Sequence, residues 1–293
     1  MPPRKGQFGP KNPTATAKIP LPQCDGPKLH PFADDKASLE FVRLLSDPTL
    51  DADAHVFEVS IGGQSYALKA FKFYDDEEDH WVLDEFERDL LSQPGAGNQA
   101  PLDHLNYYFD PFYNECRAYG KLIEAKLNGE VAVHCHGYLM LSPEHEDEMD
   151  HRFGITGWKR PIEEYDKSPS ERQPLRAIVK DLVLEDTEWT PRVANKMLRD
   201  LKKMRKLEIY AMDIKPENYK AGLLVDLSLA LTAPHVVFQI KPEFQTRGYK
   251  NQDLVDFDAM IRDQKVKTRI RAFRSAETAK KLRSYKGQSR SGG

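Results

Sequence analysis

Three stretches in the first quarter of the chain alternate apolar and polar side chains. They read LEFVRLL from Leu39, HVFEVSI from His55 and SYALKAFKF from Ser65, and Gly62-Gly63 separates the last two. Alternation with a period of two is typical of strands that bury one face, and paired glycines accept the positive φ of a two-residue hairpin turn. The pattern therefore predicts a sheet in which the second and third stretches are antiparallel neighbours.

Further along the chain, the apolar residues recur at the spacing of a helix. Residues 112–127 carry an apolar stripe every three or four positions and predict a helix that begins after Pro111. A second helix is predicted from Thr190-Pro191, because threonine caps exposed amides and proline suits the first turn. A third is predicted over residues 252–273. The runs VAVHCHGYLML and LRAIVKDLV, which lie between the first two helices, predict further strands.

Polar segments flank and interrupt these elements. Residues 1–35 are rich in Pro, Gly, Lys and Thr, a composition that cannot offset the entropy lost on ordering, so we expect a disordered basic arm. Two acidic insertions, 74–108 and 143–174, are expected to be solvated loops. Residues 265–293 form a basic C-terminal tail.

The charge is distributed unevenly. The net charge is -3, but residues 1–31 carry +4 and residues 265–293 carry +9, which leaves about -16 for the body between them. The tail could bind nucleic acid or an acidic partner through counterion release. A solvated tail that aids nuclear import is the favoured interpretation.

Several classes of protein are not expected. No apolar run approaches the roughly 20 residues of a membrane span, so no membrane partner is predicted. Three cysteines without paired spacing indicate neither disulfides nor a zinc site. In the triplet His134-Cys135-His136, strand alternation directs the cysteine away from the histidines, so a metal site is not predicted there. We expect a nuclear or cytoplasmic protein, with the nucleus favoured.

The stretch YAMDIKPENYKAGLLVDLS, from Tyr210 to Ser228, sets two acids, a lysine and an asparagine around a short apolar strand. Phosphoryl transfer needs magnesium ligands, a cation on the phosphates and a base near the attacking hydroxyl, all positioned together. These residue types suit that chemistry.

Together with YALK, which ends at Lys69, this stretch resembles the protein-kinase-like superfamily. The resemblance implies an α+β, two-lobed protein-kinase-like fold with an antiparallel sheet in the N-lobe and hinge (38–183) and a truncated helical C-lobe (184–264). It implies that Lys69 binds phosphate and that Glu115 is its carboxylate partner.

The same resemblance implies the rest of an ATP and Mg²⁺ site. VKDLV looks like the hinge, so Asp181 and Val183 would hold adenine and Lys180 would be the gatekeeper. MDIKPEN looks like the catalytic loop. Asp213 would be the base and Lys215 would lie beside the transferred phosphate, while Asn218 and Asp226 would bind the metal.

The pattern departs from active kinases in three places. SDPTLDADA, where a glycine-rich loop belongs, contains no glycine, and its carboxylates would repel phosphate. Ala211-Met212 replaces the usual His-Arg before the catalytic aspartate. After Asp226 only LSLALT precedes the Ala-Pro-His that resembles the end of an activation segment, so little remains to dock a peptide substrate.

A closer resemblance is to a fungal family named after a subunit of the inner-kinetochore Sim-four complex. It rests on DPFYNECRAYGKL, CHGYL, LRAIVKDLV and DIKPENYKAGLLVDLS followed by TAPH. It implies a centromere-associated scaffold with kinetochore proteins as partners. Two functions stay open: an atypical kinase-like protein that binds ATP and magnesium and transfers phosphate, or a catalytically silent pseudokinase scaffold.

Overall fold

The computed structural model describes residues 21, 26–33, 38–47, 49, 53–74 and 105–272. The basic tail from residue 273 onward, most of the N-terminal arm and residues 75–104 of the first insertion lie outside the described residues. The statements below concern the described part of the chain.

A five-stranded antiparallel sheet forms the first half of the fold. Its strands are β1 (Leu39–Leu44), β2 (Ala54–Ile61), β3 (Gln64–Phe71), β4 (Cys135–Leu141) and β5 (Leu175–Asp181), in the order β1-β2-β3-β5-β4. Gly62 and Gly63 have φ values of 58° and 82°, which is the backbone that the hairpin turn requires. The predicted strands and hairpin are confirmed.

Helices make up most of the remaining elements. They are α1 (Leu105–Phe109), α2 (Pro111–Glu124), α3 (Pro143–Phe153), α4 (Ile162–Tyr165), α5 (Pro191–Lys206), α6 (Val236–Ile240) and α7 (Glu243–Asp263). Two-residue strands β6 (Ile209–Tyr210), β7 (Tyr219–Lys220), β8 (Leu223–Leu224) and β9 (Leu231–Thr232) pair β6 with β9 and β7 with β8. No helix in the described ranges is both long and apolar enough to cross a bilayer.

The first two predicted helices are present, and α2 begins at Pro111. Thr190 accepts a hydrogen bond from the Val193 amide at the start of α5, as expected. The third helix, α7, begins at Glu243 and ends at Asp263, so the prediction of 252–273 was wrong at both ends. The start was missed because the first turns lack a clear apolar stripe, as the exposed Phe244 shows. At the other end, Lys265 in a left-handed backbone conformation follows the last helical residue.

The insertion at 143–174 is folded rather than a solvated loop. A capping box at Ser142 starts α3, and Gly154 in the left-handed conformation ends it. Met149 and Trp158 are almost fully buried against the sheet face that carries Phe57. The acidic composition hid these few widely spaced apolar anchors, so the expectation was wrong.

Residues 26–33 also pack on the fold, although they belong to the arm expected to be disordered. The amide of Phe32 donates to the Tyr138 carbonyl (2.9 Å), and the Tyr138 amide donates to the His30 carbonyl (3.1 Å). Leu29 and Phe32 are buried. This ordered portion extends the sheet beyond β4.

The opposite face of the sheet packs on helices. α2 lies against that face, and its Phe112 and Tyr119 share one core with Ile178 of β5 and Met197 of α5. The architecture confirms the α+β class. It is compatible with a two-lobed kinase-like arrangement, which stays a prediction.

Candidate functional site

The position of α2 is fixed by its first residues. Asp110 accepts a hydrogen bond from the Phe112 amide (2.9 Å) and forms a buried ion pair with Arg176 of β5. The cap and the ion pair together hold the helix against the sheet. Glu115, one turn further along, therefore enters the space between α2 and the strands, where it has no exposed surface.

Lys69 on β3 reaches this carboxylate. Its Nζ lies 3.0 Å from Glu115 Oε2 and 2.7 Å from Asp226 Oδ1, and the residue is 5% exposed. Burial acts to lower the pKa of Lys69, but the carboxylates of Asp226 and Glu115 more than offset it and raise the pKa above its ordinary value. Lys69 is therefore a firmly charged ammonium with two anionic partners.

A second buried lysine joins the same carboxylate. Lys180 Nζ, from β5, lies 2.7 Å from Glu115 Oε1 and also donates to the Val225 carbonyl at 2.7 Å. Glu115 thus bridges two lysines with its two oxygens. We call Lys69, Glu115, Lys180 and Asp226 the buried charge cluster; it contains two cations and two anions.

Asp226 connects the cluster to the loop after α5. Burial acts to raise the pKa of Asp226, but Lys69 and Lys180 hold it well below its ordinary value, and the Ser228 amide donates to it at 2.8 Å. The side chain keeps 29% exposure. It is the member of the cluster most open to a ligand.

The loop of residues 211–218 brings the other candidates together. Asn218 Nδ2 donates to the Asp213 carbonyl and to Asp213 Oδ2, both at 3.0 Å, and Lys215 Nζ lies 2.8 Å from Asp213 Oδ2. The Val225 amide donates to the Asn218 carbonyl at 2.9 Å. This bond places Asn218 beside the segment that carries Asp226. Lys215 and Asp213 are half-exposed, in contrast with the buried cluster.

The two predicted adenine-binding residues are not part of the cluster. The carboxylate of Asp181 points to His136, 2.6 Å away, and the Asp181 amide donates to the His134 carbonyl. Val183 is partly buried against the apolar core.

The turn between β1 and β2 differs from a phosphate-binding loop. Asp47 accepts from both the amide and the hydroxyl of Thr49, at 2.9 and 2.7 Å. A carboxylate here repels phosphate.

The segment after Asp226 is short and closed. Leu227 and Ala230 are fully buried, and β9 pairs with β6, the short strand between α5 and the loop of residues 211–218. No extended platform for a peptide substrate lies between Leu227 and Thr232.

These groups could serve two kinds of chemistry. Carboxylate and amide oxygens of Asp213, Asn218 and Asp226 are of the type that Mg²⁺ prefers, and Lys69 could contact a phosphate. Such a phosphate would lie beside the carboxylate of Asp226, which contacts Lys69 and would repel it. Without a ligand, the two cations and two anions of the buried charge cluster neutralise each other. The cluster then joins β3, β5 and α2 to the segment that carries Asp226.

Residues 17–231 match the family described as Kinetochore Sim4 complex subunit FTA2. The chain belongs to this family. No curated protein matches the chain.

The FTA2 match spans the whole sheet, the buried charge cluster and the loop of residues 211–218. It ends at Leu231, before α6 and α7. The candidate site residues named from the sequence therefore all lie within the residues that match the FTA2 family.

Sequence reasoning missed two contacts in this FTA2 protein. Lys180 was expected only as a gatekeeper, but it lies within an apolar strand, and a lysine in such a strand signals a buried anionic partner. The contact of Asp181 with His136 could not be read from the sequence, because it depends on the register between β4 and β5.

Proposed function

We propose that this protein is a subunit of a kinetochore complex of the Sim4 type, in which a kinase-like fold works as a catalytically silent scaffold in the nucleus. Membership of the FTA2 family carries the proposal, because the family takes its description from that assembly. Kinetochore proteins are the expected partners. The resemblance to kinases adds the expectation of a two-lobed fold, which in this proposal binds partner proteins instead of transferring phosphate.

The arrangement of charges supports a structural role for the buried charge cluster. Glu115 is fully buried and neutralises Lys180, while Lys69 is neutralised by Glu115 and Asp226. A phosphate at Lys69 would meet the carboxylate of Asp226, and the acidic residue Asp47 between β1 and β2 adds repulsion. The short segment after Asp226 leaves no platform for a protein substrate.

The test separates scaffold from enzyme with two exposed residues. Asp213→Asn keeps an oxygen that can accept from Asn218, and Lys215→Met removes an ammonium that is half-exposed. A scaffold should rescue cells that lack the protein, and should recover the same centromeric partners in affinity purification, with either variant. Loss of rescue by both variants at normal protein levels would favour an enzyme. Recovery of no kinetochore proteins by the intact full chain would refute the kinetochore assignment.

The second candidate is an ATP- and magnesium-binding phosphotransferase. The convergence of Lys69, Glu115 and Asp226, with Asp213 and Asn218 nearby, favours it. Nucleotide at about 100 times its dissociation constant should stabilise the fold by about 2.7 kcal/mol. Thermal unfolding with Mg²⁺ and ATP, compared with Asp226→Asn, measures this. An unchanged melting temperature at millimolar nucleotide would exclude the candidate.

A further inference from the structure

Two histidines and an aspartate meet at the ends of β4 and β5, on the sheet face opposite the buried charge cluster. One ring nitrogen each of His134 and His136 and one oxygen of Asp181 all lie within 4.8 Å of one another. The two imidazole rings have centroids 4.5 Å apart, and His136 Nε2 is 2.6 Å from Asp181 Oδ1. We call these three residues the His-His-Asp cluster.

A β-bulge brings the cluster together. The Asp181 amide donates to the His134 carbonyl at 2.9 Å, so these two residues are neighbours across the strands. Cys135 pairs with Lys180 and Gly137 with Val179, which makes His136 the extra residue of the irregularity. A bulge re-aims a side chain. It accounts for His136 lying beside both His134 and Asp181.

One polar atom of the cluster lacks a partner. Nδ1 of His134 is buried, and no donor or acceptor among the described residues lies within hydrogen-bond distance. Buried polar atoms are normally paired, because leaving one unpaired is unfavourable. A ligand that engages this histidine would give the unpartnered nitrogen a partner.

We propose that His134, His136 and Asp181 bind a divalent transition-metal ion, with Zn²⁺ as the best fit. Two imidazoles and a carboxylate are a donor set that Zn²⁺ accepts, whereas Mg²⁺ and Ca²⁺ prefer oxygen ligands alone. Side-chain exposures of 24% for His136 and 50% for Asp181 leave the ion reachable from solvent, with a fourth position for water. The site is separate from Asn218 and Asp226 and does not depend on the proposed function.

Binding requires the three side chains to adjust, because their donor atoms now lie up to 4.8 Å apart. Zinc ligands at about 2.0–2.1 Å in a tetrahedral arrangement lie about 3.3 Å from one another. The ion would therefore replace the hydrogen bond between His136 and Asp181 and move the exposed carboxylate outward. On the inner side, the rings of Tyr66 and Phe32 lie 5.0 and 6.4 Å from the His136 ring and restrict where that imidazole can turn.

The experiment uses the full chain, purified without a polyhistidine tag and stripped of metal with a chelator. Titration with Co²⁺ should give the visible bands of a tetrahedral ion at equimolar metal, and competition with a coloured chelator gives the Zn²⁺ affinity. His134→Gln and His136→Gln should weaken binding by more than about 100-fold, because losing even a residue that only supports a ligand weakens binding by about 10–100-fold. His151→Gln, an exposed histidine on α3, is the matched control and should bind like the wild type.

Three results would overturn the proposal. They are the absence of tetrahedral Co²⁺ bands and of retained Zn²⁺, equal affinity in the wild type and the cluster variants, or a thiolate-to-cobalt band that shows cysteine in the donor set. Each variant is first melted without metal to establish that it folds. If a histidine variant does not fold, Asp181→Asn decides, since its side chain is half-exposed and its loss should still weaken binding by at least about 10-fold.

Discussion

Glu115 is the residue on which the buried charge cluster depends, because its two oxygens bind two different lysines. Glu115→Gln removes the negative charge but keeps the shape, so it leaves the two buried lysines with Asp226 as the one remaining anion of the cluster. Removing one partner of a buried ion pair costs about 3–5 kcal/mol. We expect a loss near the lower limit, because Lys69 keeps Asp226. Urea unfolding followed by circular dichroism measures the loss.

The control is Glu124→Gln, an exposed glutamate in the last turn of the same helix, which should change stability by less than about 0.5 kcal/mol. Adding Lys180→Met to Glu115→Gln should restore part of the lost stability, because it removes the unmatched cation. Equal stability of the two single glutamate variants would mean that the cluster does not stabilise the fold.

At this scale the sequence predicted the cluster only in part. The resemblance to kinases led to the expectation that Lys69 and Glu115 are partners, and their atoms lie 3.0 Å apart. The second bond of Glu115, to Lys180, depends on how β5 crosses α2, and no local pattern encodes that crossing. The same holds for His136 and Asp181, which meet through a bulge.

Among the elements, the close contact between α2 and residues 26–33 makes the most specific prediction. A Cβ added at Gly120 would lie 2.7 Å from the backbone carbon of Lys28. Glycine to alanine in a helix normally stabilises by about 0.5–1 kcal/mol. At Gly120 the contact should reverse the sign and destabilise the protein by about 1–3 kcal/mol, because backbone cannot yield like a side chain. Thermal unfolding measures the sign, and faster trypsin cleavage at Lys28 would report displacement of the segment.

Gly248→Ala is the matched control, since Gly248 lies within α7 and a Cβ there meets no atom within 4 Å. It should stabilise the protein by the usual amount. If Gly120→Ala stabilises to the same extent, residues 26–33 do not pack on α2 in solution.

Elements with strong local signals were predictable and those held by distant anchors were not. The hairpin follows from Gly62-Gly63 and α5 from its Thr-Pro start. In contrast, α3 and the segment around Trp158 have acidic, polar sequences, and their burial depends on contacts with the sheet. Leu29 and Phe32 likewise order part of a segment whose average composition indicates disorder.

For the whole molecule, two buried groups should have opposite effects on the free energy of unfolding as the pH changes. His235 Nδ1 accepts from the Val237 amide and Nε2 bonds to the Tyr108 carbonyl, so the imidazole is neutral. Burial, with a contribution from Arg117, lowers the pKa of His235 to about 3. Burial raises the pKa of Asp253 to about 6, against the opposing effect of Arg205.

The signs follow from proton binding. Below the unfolded pKa of about 6.5, unfolded His235 binds a proton that the folded state excludes, so stability is lost as the pH falls from there toward 3. Asp253 holds its proton in the folded state up to about pH 6, against 3.8 unfolded, so it adds stability as the pH falls through that window. Each group contributes at most about 1.4 kcal/mol per pH unit.

Removing one group should therefore reveal the pH dependence of stability that the other group contributes. The free energy of unfolding is measured with urea at several pH values between about 4 and 6. His235→Asn should make the slope of this free energy against pH less positive than in the wild type, by up to about 1.4 kcal/mol per pH unit. Asp253→Asn should make it more positive by a similar amount, and the double variant should return toward the wild-type slope because the residues lie on different elements. His151→Asn, an exposed histidine, should leave the slope unchanged. Parallel slopes for all five proteins would mean that neither group changes its protonation on unfolding in this range, and the buried, neutral state assigned to His235 would then be wrong.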